Sequence, residues 1–120
     1  MDLNNYKTHE SEWMTVTDPF GEPTDIRIRL AGRDSESFKK ASRKIAEAKR
    51  KRQKGLKPIE EERMWLETFA KCTVEWENLE DNGKKLDCNF ENAMKVYSNY
   101  EFVLEQVIIF IQERENFLEN

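Results

Sequence analysis

The residues best suited to chemistry are few in this chain and lie far apart. Cys72 and Cys88 are 16 positions apart, and His9 is the one histidine. This spacing does not match a zinc site, and a cysteine thiolate would lack an imidazole partner for nucleophilic catalysis. Because free cysteines are among the most buried residue types, we interpret both as free thiols in a reducing compartment. The alternative is a single disulfide, against which the absence of an export signal weighs.

Acid–base catalysis and phosphate binding are not favoured either. His9 lies in a polar N-terminal segment, which is a poor position for a general base. Paired carboxylates such as Glu75 and Glu77 carry little information in a chain with 24 acidic residues. The four glycines are scattered and cannot form a phosphate-binding loop. We therefore predict a protein that is not an enzyme and that has no cofactor or metal.

The strongest chemical signal is a basic segment, residues 39–57, in an otherwise acidic protein. It carries ten Lys or Arg and one acid, whereas residues 1–38 sum to −4 and residues 58–120 to −9. Such a segment can contact nucleic-acid phosphates, but no aromatic residue is interleaved for base stacking. We therefore favour a dock for an acidic surface, on a partner or on this protein itself. The central cations of the segment are Lys49, Arg50, Lys51 and Arg52.

Length and composition favour one domain, residues 1–120, that is not a membrane protein. Apolar residues make up 38% of the chain and charged residues 37%, so we expect a small core. Seven Phe, three Trp and three Tyr argue against disorder, because such rings need a buried environment. No apolar run approaches the ~18 residues of a membrane span, and the N-terminus lacks a signal-peptide pattern. We expect a cytoplasmic protein in which residues 1–11 are flexible.

Period-2 alternation predicts a β-hairpin over residues 12–31. WMTVT and DIRIRLA both alternate, and Ile26, Ile28 and Leu30 fall on one face of the second strand. The connecting DPFGEP contains two prolines and one glycine, which form turns and interrupt strands. Because two strands alone are marginally stable in water, we expect this hairpin to pack on helices or on another subunit.

Two helices are predicted at the start of the helical part, residues 34–120. Asp34 is the predicted N-cap of the first helix, and Gly55 is its predicted end. Pro58 suits the first position of the second helix. The apolar residues with helical spacing in that helix are Trp65, Phe69, Cys72 and Trp76, and they extend it to about Trp76–Leu79.

The segment WENLEDNGKKLDCNFENA is typical of a connector between two helices. Asp81, Asn82 and Gly83 form its predicted turn, and Asn89 is the predicted N-cap of the next helix, FENAMKVYSN. A last helix over about residues 100–118 has one apolar face. Together these patterns predict an α+β fold that is mostly α-helical, with the N-terminal β-hairpin packed with about four helices.

Two large apolar residues lie on the polar side of the last helix. Phe102 and Ile109 are seven residues apart and point away from its apolar face. One layer of packing cannot use both sides of a helix, so we predict that they contact a client protein or another subunit of a homo-oligomer. We include Phe117 in this predicted surface. The alternative is that the hairpin or a further helix covers these residues.

With these residues in view, the C-terminal half resembles the tail assembly chaperones of long-tailed bacteriophages over about 45 residues. In that family a helix ends in Trp, an acidic glycine-containing turn follows, and a capped helix precedes a long apolar helix with a terminal Asn-Phe-Leu. The matching residues are Trp76, Glu77, Asn78, Leu79, Asp81, Gly83, Leu86, Glu91, Asn92, Ala93, Glu105, Gln106, Asn116, Phe117 and Leu118. The family often has an aromatic residue where Cys88 stands and a proline where Phe90 stands. DPFGEPTDIRIRLAGRDS is more loosely similar to the family's opening strands.

The resemblance implies a non-enzymatic protein of the host bacterial cytoplasm that binds the tape measure protein. It implies that the protein keeps this long, apolar and aggregation-prone client in solution and helps to recruit tail tube subunits. On this interpretation, exposed apolar residues of the last helix contact the client. The basic helix then docks an acidic client or a neighbouring subunit.

Two other functions fit the same sequence. A small nucleic-acid-associated regulatory protein would use the basic helix over residues 39–57, and its binding would weaken steeply with salt. Another small phage morphogenesis protein, such as a tail completion factor, would suit the same fold and charge pattern.

Overall fold

The computed structural model describes residues 1–119 and shows an α+β fold. The strands are β1 (Ser11–Thr17), β2 (Pro23–Ala31), β3 (Thr73–Glu77), β4 (Glu80–Asp81) and β5 (Lys84–Lys85). The helices are α1 (Glu36–Lys51), α2 (Pro58–Lys71), α3 (Phe90–Asn99) and α4 (Glu101–Gln112), with short 3-10 helices at Leu3–Tyr6 and Arg114–Phe117. β1, β2 and β3 form an antiparallel sheet in that order, and β4 pairs with β5. The predicted α+β class is confirmed.

The predicted β-hairpin is formed by β1 and β2. Their register pairs Met14 with Ile28 and Trp13 with Arg29. Met14 and Ile28 are buried on the face that meets the helices. On the opposite face the Arg27 guanidinium lies 4.6 Å from the centre of the Trp13 ring. The sheet therefore has one apolar face and one polar face, as period-2 alternation requires.

A third strand occupies the segment that was predicted to end the second helix. α2 ends at Lys71, and Trp76 lies in β3 opposite Ile28 of β2. The prediction that this helix continues to Trp76–Leu79 is therefore wrong. TVEWE alternates at period 2 and is rich in β-branched and aromatic residues, so it forms a strand once β2 supplies a partner.

The start of α1 differs from the prediction by one residue. Its N-cap is Ser35, whose Oγ accepts a hydrogen bond from the Phe38 N–H at 3.1 Å. The prediction that Asp34 caps this helix is therefore wrong. The Asp34 carboxylate instead accepts two hydrogen bonds from the Arg114 guanidinium, at 2.8 and 3.3 Å. Asp34 thus joins the start of α1 to the C-terminal 3-10 helix.

The end of α1 also comes earlier than predicted. α1 ends at Lys51, and Gly55 lies in the turn that follows the helix. The Gly55 N–H donates to the Arg52 carbonyl at 3.0 Å, and its φ of +71° is in the left-handed region that favours glycine. α2 then begins at Pro58, as predicted.

The connector before α3 contains a small hairpin of β4 and β5. Asn82 and Gly83 have φ values of +54° and +75°, which a two-residue hairpin turn of this type requires. Asn89 caps α3 through its Oδ1, which accepts from the Asn92 N–H at 2.8 Å. The turn and the cap are confirmed, but the connector joins β3 to α3 and does not join two helices.

The last helix is shorter than predicted. α4 ends at Gln112, and Arg114–Phe117 form a separate 3-10 helix, so one continuous helix over residues 100–118 is wrong. Leu118 forms an isolated antiparallel bridge with Thr8. The change of direction after Gln112 brings the C-terminal segment back to the N-terminal one.

The N-terminal segment, residues 1–11, is bonded to this C-terminal segment. Besides the bridge between Thr8 and Leu118, the His9 N–H donates to the Phe117 carbonyl at 2.6 Å. The flexibility expected for residues 1–11 stays a prediction.

The core lies between the apolar face of the sheet and helices α2, α3 and α4. α4 buries Val103, Val107 and Ile111, which recur on one of its faces. Tyr97 of α3 is also buried, and its hydroxyl lies 2.6 Å from the Thr73 hydroxyl, which satisfies its polar atom. α1 packs mainly on α2.

Candidate partner-binding surfaces

The solvent side of α4 carries one fully exposed large apolar residue. Ile109 is 69% exposed, whereas Phe102 is half-buried and packs against the core. Phe117 is only 2% exposed, because its ring packs beside Gly32 and lies 5.4 Å from the Phe110 ring, centroid to centroid. Of the three predicted contact residues, Ile109 therefore presents its side chain to solvent and Phe102 presents part of its ring. The Phe117 side chain is part of the protein interior and is not available at the surface.

A groove with a volume of about 700 Å³ lies between α2 and the α3–α4 pair. Its apolar lining consists of Ile59, Trp65, Leu66, Phe69, Leu104 and Ile108. Ile59 is 75% exposed, and Trp65, Leu66, Leu104 and Ile108 are partly exposed. The rings of Trp65 and Phe69 are stacked with their centroids 6.1 Å apart, so the α2 wall is aromatic.

The polar residues of this groove are unequally paired. Arg63 forms an ion pair with Glu67, with Nε and Oε1 3.3 Å apart. Glu62 on α2 and Glu101 on α4 also line the groove and are exposed, and neither has an ion-pair partner among residues 1–119. The unpaired charges of the groove are therefore negative.

The sequence predictions missed this groove. Trp65 was assigned to the apolar face of its helix, and such faces are expected to be buried. Helical periodicity identifies the apolar face but does not show whether a neighbouring helix covers it. The sequence does contain one indication of the groove. Ile59 is a large apolar residue in the first turn of α2, where Pro58 precedes it and three glutamates follow it.

The basic segment is partly neutralised within the chain. Lys49 Nζ lies 2.6 Å from Glu61 Oε1, and Arg52 forms an ion pair with Glu60. These two pairs join the end of α1 to the first turn of α2, where acidic residues also favour the helix dipole. Two of the predicted docking cations therefore bind this protein itself.

The remaining cations of α1 form a stripe on its solvent side. The members of this basic face are Lys39, Lys40, Arg43, Lys44, Arg50 and Lys51. At 100° per residue the six positions fall within about 140° of the helix circumference, on the side opposite the buried Ala41 and Ile45. All six are exposed, and none is within 4.0 Å of a carboxylate oxygen in the part of the chain that the structure describes.

The reactive side chains are isolated from one another. His9 Nε2 lies 3.7 Å from Glu12 Oε1 at an exposed position. Both cysteines are free thiols, and burial raises the pKa of Cys72 to about 12 and of Cys88 to about 11. Within residues 1–119, no group of three or more His, Cys, Asp or Glu side chains could hold a metal ion.

The residues that carry the family resemblance mainly hold elements of the fold together. The Trp76 indole donates to the Leu86 carbonyl at 2.8 Å, and Asn78 donates to the Asp25 carbonyl at 2.9 Å. Ala93 is buried. Further side-chain hydrogen bonds to backbone carbonyls are Asn92 to Asp87, Asn116 to Phe110, and Gln106 to Thr17. The residues that carry the resemblance thus hold strands, helices and loops in place. The Ile109 surface, the groove and the basic face of α1 consist of other residues.

No family model, curated protein or solved structure matches this chain. No helix among the described residues is long and apolar enough to cross a membrane.

Proposed function

We propose that this protein is a non-enzymatic tail assembly chaperone of a long-tailed bacteriophage or prophage. It acts in the host bacterial cytoplasm, where it binds the tape measure protein and helps to recruit tail tube subunits. The observation that supports this proposal most is the exposure of Ile109 on α4, a helix whose opposite face is buried in the core. Ile109 and the accessible part of Phe102 lie seven residues apart on the same side of α4, so one partner can cover both side chains.

The client contact on α4 consists of Ile109 and the accessible part of Phe102. Burying an exposed Ile side chain contributes about 1.5–3 kcal/mol, so this contact alone gives a weak client complex. A chaperone must release its client during assembly, and a small apolar contact suits a reversible complex.

The basic face of α1 supplies the electrostatic part of the same function. Its exposed cations attract an acidic client segment or a neighbouring subunit and increase the rate of association. Replacing Arg43, Lys44 and Lys51 by Gln should slow association and remove most of its salt dependence. The matched control replaces Lys84 and Lys85, which are exposed cations of the β4–β5 hairpin.

An affinity pull-down tests the proposed function. The tagged protein is isolated from cells that express the whole neighbouring gene cluster, and bound proteins are identified by mass spectrometry. We expect a very long, apolar-rich helical protein of that cluster, or a tail tube subunit. Recovery of neither by a folded protein would contradict the proposal.

A second candidate function is that of a small nucleic-acid-associated regulatory protein, and the basic face of α1 is the observation that favours it. A gel shift with duplex DNA at two salt concentrations separates the candidates, because phosphate contacts weaken steeply with salt. Salt-sensitive DNA binding without any tail protein in the pull-down would favour the regulator. Another phage morphogenesis role, such as tail completion, would recover other structural proteins of the same cluster.

A further inference from the structure

The groove between α2 and α4 is a second apolar surface, on another side of α4 from Ile109. Leu104 and Ile108 line the groove, and Ile109 is one residue further along the helix, which turns its side chain by about 100°. Glu105 lies between the two surfaces on the helix. The groove can therefore bind a partner independently of the Ile109 contact.

The shape and lining of the groove suit a helix. Its walls are themselves helices, and apolar side chains from α2 and α4 follow one another along both walls. An amphipathic helix binds such a groove by inserting side chains spaced three, four and seven residues apart. Trp65, Leu66 and Leu104 are the half-buried residues that such side chains would cover.

The charge of the groove selects among amphipathic helices. The three consecutive glutamates of α2 are divided, because Glu60 and Glu61 pair with α1 whereas Glu62 faces the groove. Glu101 stands on the opposite wall. Cations on both flanks of a bound helix would pair with these two carboxylates, and acids there would be repelled.

A second copy of this chain does not supply such a helix. The basic face of α1 contains no exposed large apolar residue, and Ile45 of that helix is buried. The exposed Ile109 lies on α4, which contains no Lys or Arg.

The exposed Phe20 and Val74 lie outside the helices, and Leu3 and Tyr6 lie in a 3-10 helix of only four residues. Phe90 begins α3, whose apolar face is buried. Two grooves placed face to face would oppose the glutamates of one copy to those of the other.

We propose that the groove formed by Ile59, Trp65, Leu66, Leu104 and Ile108 binds an amphipathic helix of another protein, with Lys or Arg flanking its apolar side. Glu62 and Glu101 set the preference for the basic flanks. This inference concerns a site separate from the α4 contact of the proposed function, and it does not depend on the identity of the client.

Two fluorescein-labelled peptides test the proposal on the full chain. Each has about 18 residues, enough for a stable helix, with Leu at positions i, i+3, i+4 and i+7. One carries Lys on both flanks of the Leu stripe, and the other carries Glu at the same positions. Fluorescence anisotropy should show that the Lys peptide binds at least about tenfold more tightly at about 0.05 M salt, with a smaller difference at about 0.5 M.

Variants at exposed positions assign this binding to the groove. Ile59→Ser should weaken binding of the Lys peptide by about tenfold, since it removes one apolar side chain that the bound peptide would bury. Glu62→Gln with Glu101→Gln should bring the two peptides to nearly equal affinity. Phe20→Gln, at an exposed apolar residue in the loop between β1 and β2, should leave both affinities unchanged.

Three results would overturn the proposal: neither peptide binds, both bind equally to the wild-type protein, or the groove variants leave the Lys peptide unaffected. The proposed chaperone function fails by a different result, which is loss of the tail proteins from the pull-down while the Lys peptide still binds.

Discussion

The side-chain amide of Gln106 forms two hydrogen bonds with the backbone of Thr17. Its Oε1 accepts from the Thr17 N–H at 2.7 Å, and its Nε2 donates to the Thr17 carbonyl at 2.8 Å. The same Nε2 also donates to the Phe102 carbonyl at 2.9 Å. The Gln106 side chain thus pairs the backbone N–H and carbonyl of Thr17 at the outer edge of the sheet and links α4 to β1.

Gln106→Leu should lower the free energy of unfolding by about 1–3 kcal/mol, because it leaves partly buried backbone groups of Thr17 without partners. Gln106→Glu should also lower it: its carboxylate can still accept from the Thr17 N–H, but its second oxygen would face the carbonyls of Thr17 and Phe102 with no proton to donate. Urea unfolding followed by circular dichroism gives both values. Equal stability of Gln106→Leu and the wild type would show that water replaces the amide without loss.

Gly32 and Phe117 pack so closely that a side chain at Gly32 would require the Phe117 ring to shift. A Cβ at this position would lie 3.0 Å from two carbons of the Phe117 ring, and Gly32 has an ordinary negative-φ backbone. Gly32→Ala should therefore destabilise the protein by about 1–3 kcal/mol through overpacking. In the Phe117→Leu background the same substitution should cost less. A double-mutant cycle that showed strict additivity would contradict this packing argument.

The ion pair between Asp34 and Arg114 should make stability depend on acid pH. Hydrogen bonds from Arg114 hold the Asp34 pKa below its ordinary value of 3.8. A carboxyl with a lowered folded-state pKa stabilises the protein fully above its unfolded-state pKa. That stability is lost as the pH falls through the folded-state pKa.

Asp34→Asn should reduce stability at pH 7 slightly, because both partners are largely accessible to solvent, and should make the loss between pH 7 and about pH 3 smaller. Urea unfolding at both pH values gives the comparison. Arg114→Met should have the same effect, and the double variant should add nothing further. An unchanged acid dependence in both single variants would exclude this pair as its source.

The two cysteines should react slowly with iodoacetamide in the folded protein. Burial raises the pKa of Cys72 to about 12 and of Cys88 to about 11, so at pH 8 less than about one thiol in a thousand is ionised. Cys88 is half-buried and should react before Cys72, as the single Cys→Ser variants would show by mass spectrometry. Rapid labelling of Cys72 without denaturant would contradict its burial.

The parts of the fold that the sequence predicted well depend on neighbouring residues. Pro58 begins α2, Asn82 and Gly83 form a turn, and Asn89 caps α3, each through contacts within a few positions. The period-2 alternation of β1 and β2 likewise lies within each strand's own sequence, because one face of each strand is buried.

The parts that the sequence did not predict depend on distant partners. Trp76 follows Trp65, Phe69 and Cys72 with helical spacing, yet TVEWE also alternates, and only pairing with β2 decides between helix and strand. The pairing of Asp34 with Arg114, 80 residues apart, likewise has no local signal. Burial of Phe117 and exposure of the groove depend on which helices become neighbours, and periodicity does not encode that.

The proposed contact of Ile109 with an apolar client is tested most directly by co-expression with the tape measure protein of the same gene cluster. The measurement is the fraction of tape measure protein that stays soluble with the wild type, with Ile109→Gln, and with Phe20→Gln as a control at another exposed apolar residue. We predict that the wild type and Phe20→Gln keep the client soluble and that Ile109→Gln loses most of this effect. A wild type that leaves the client insoluble, or an Ile109→Gln variant as effective as the wild type, would contradict the proposed contact.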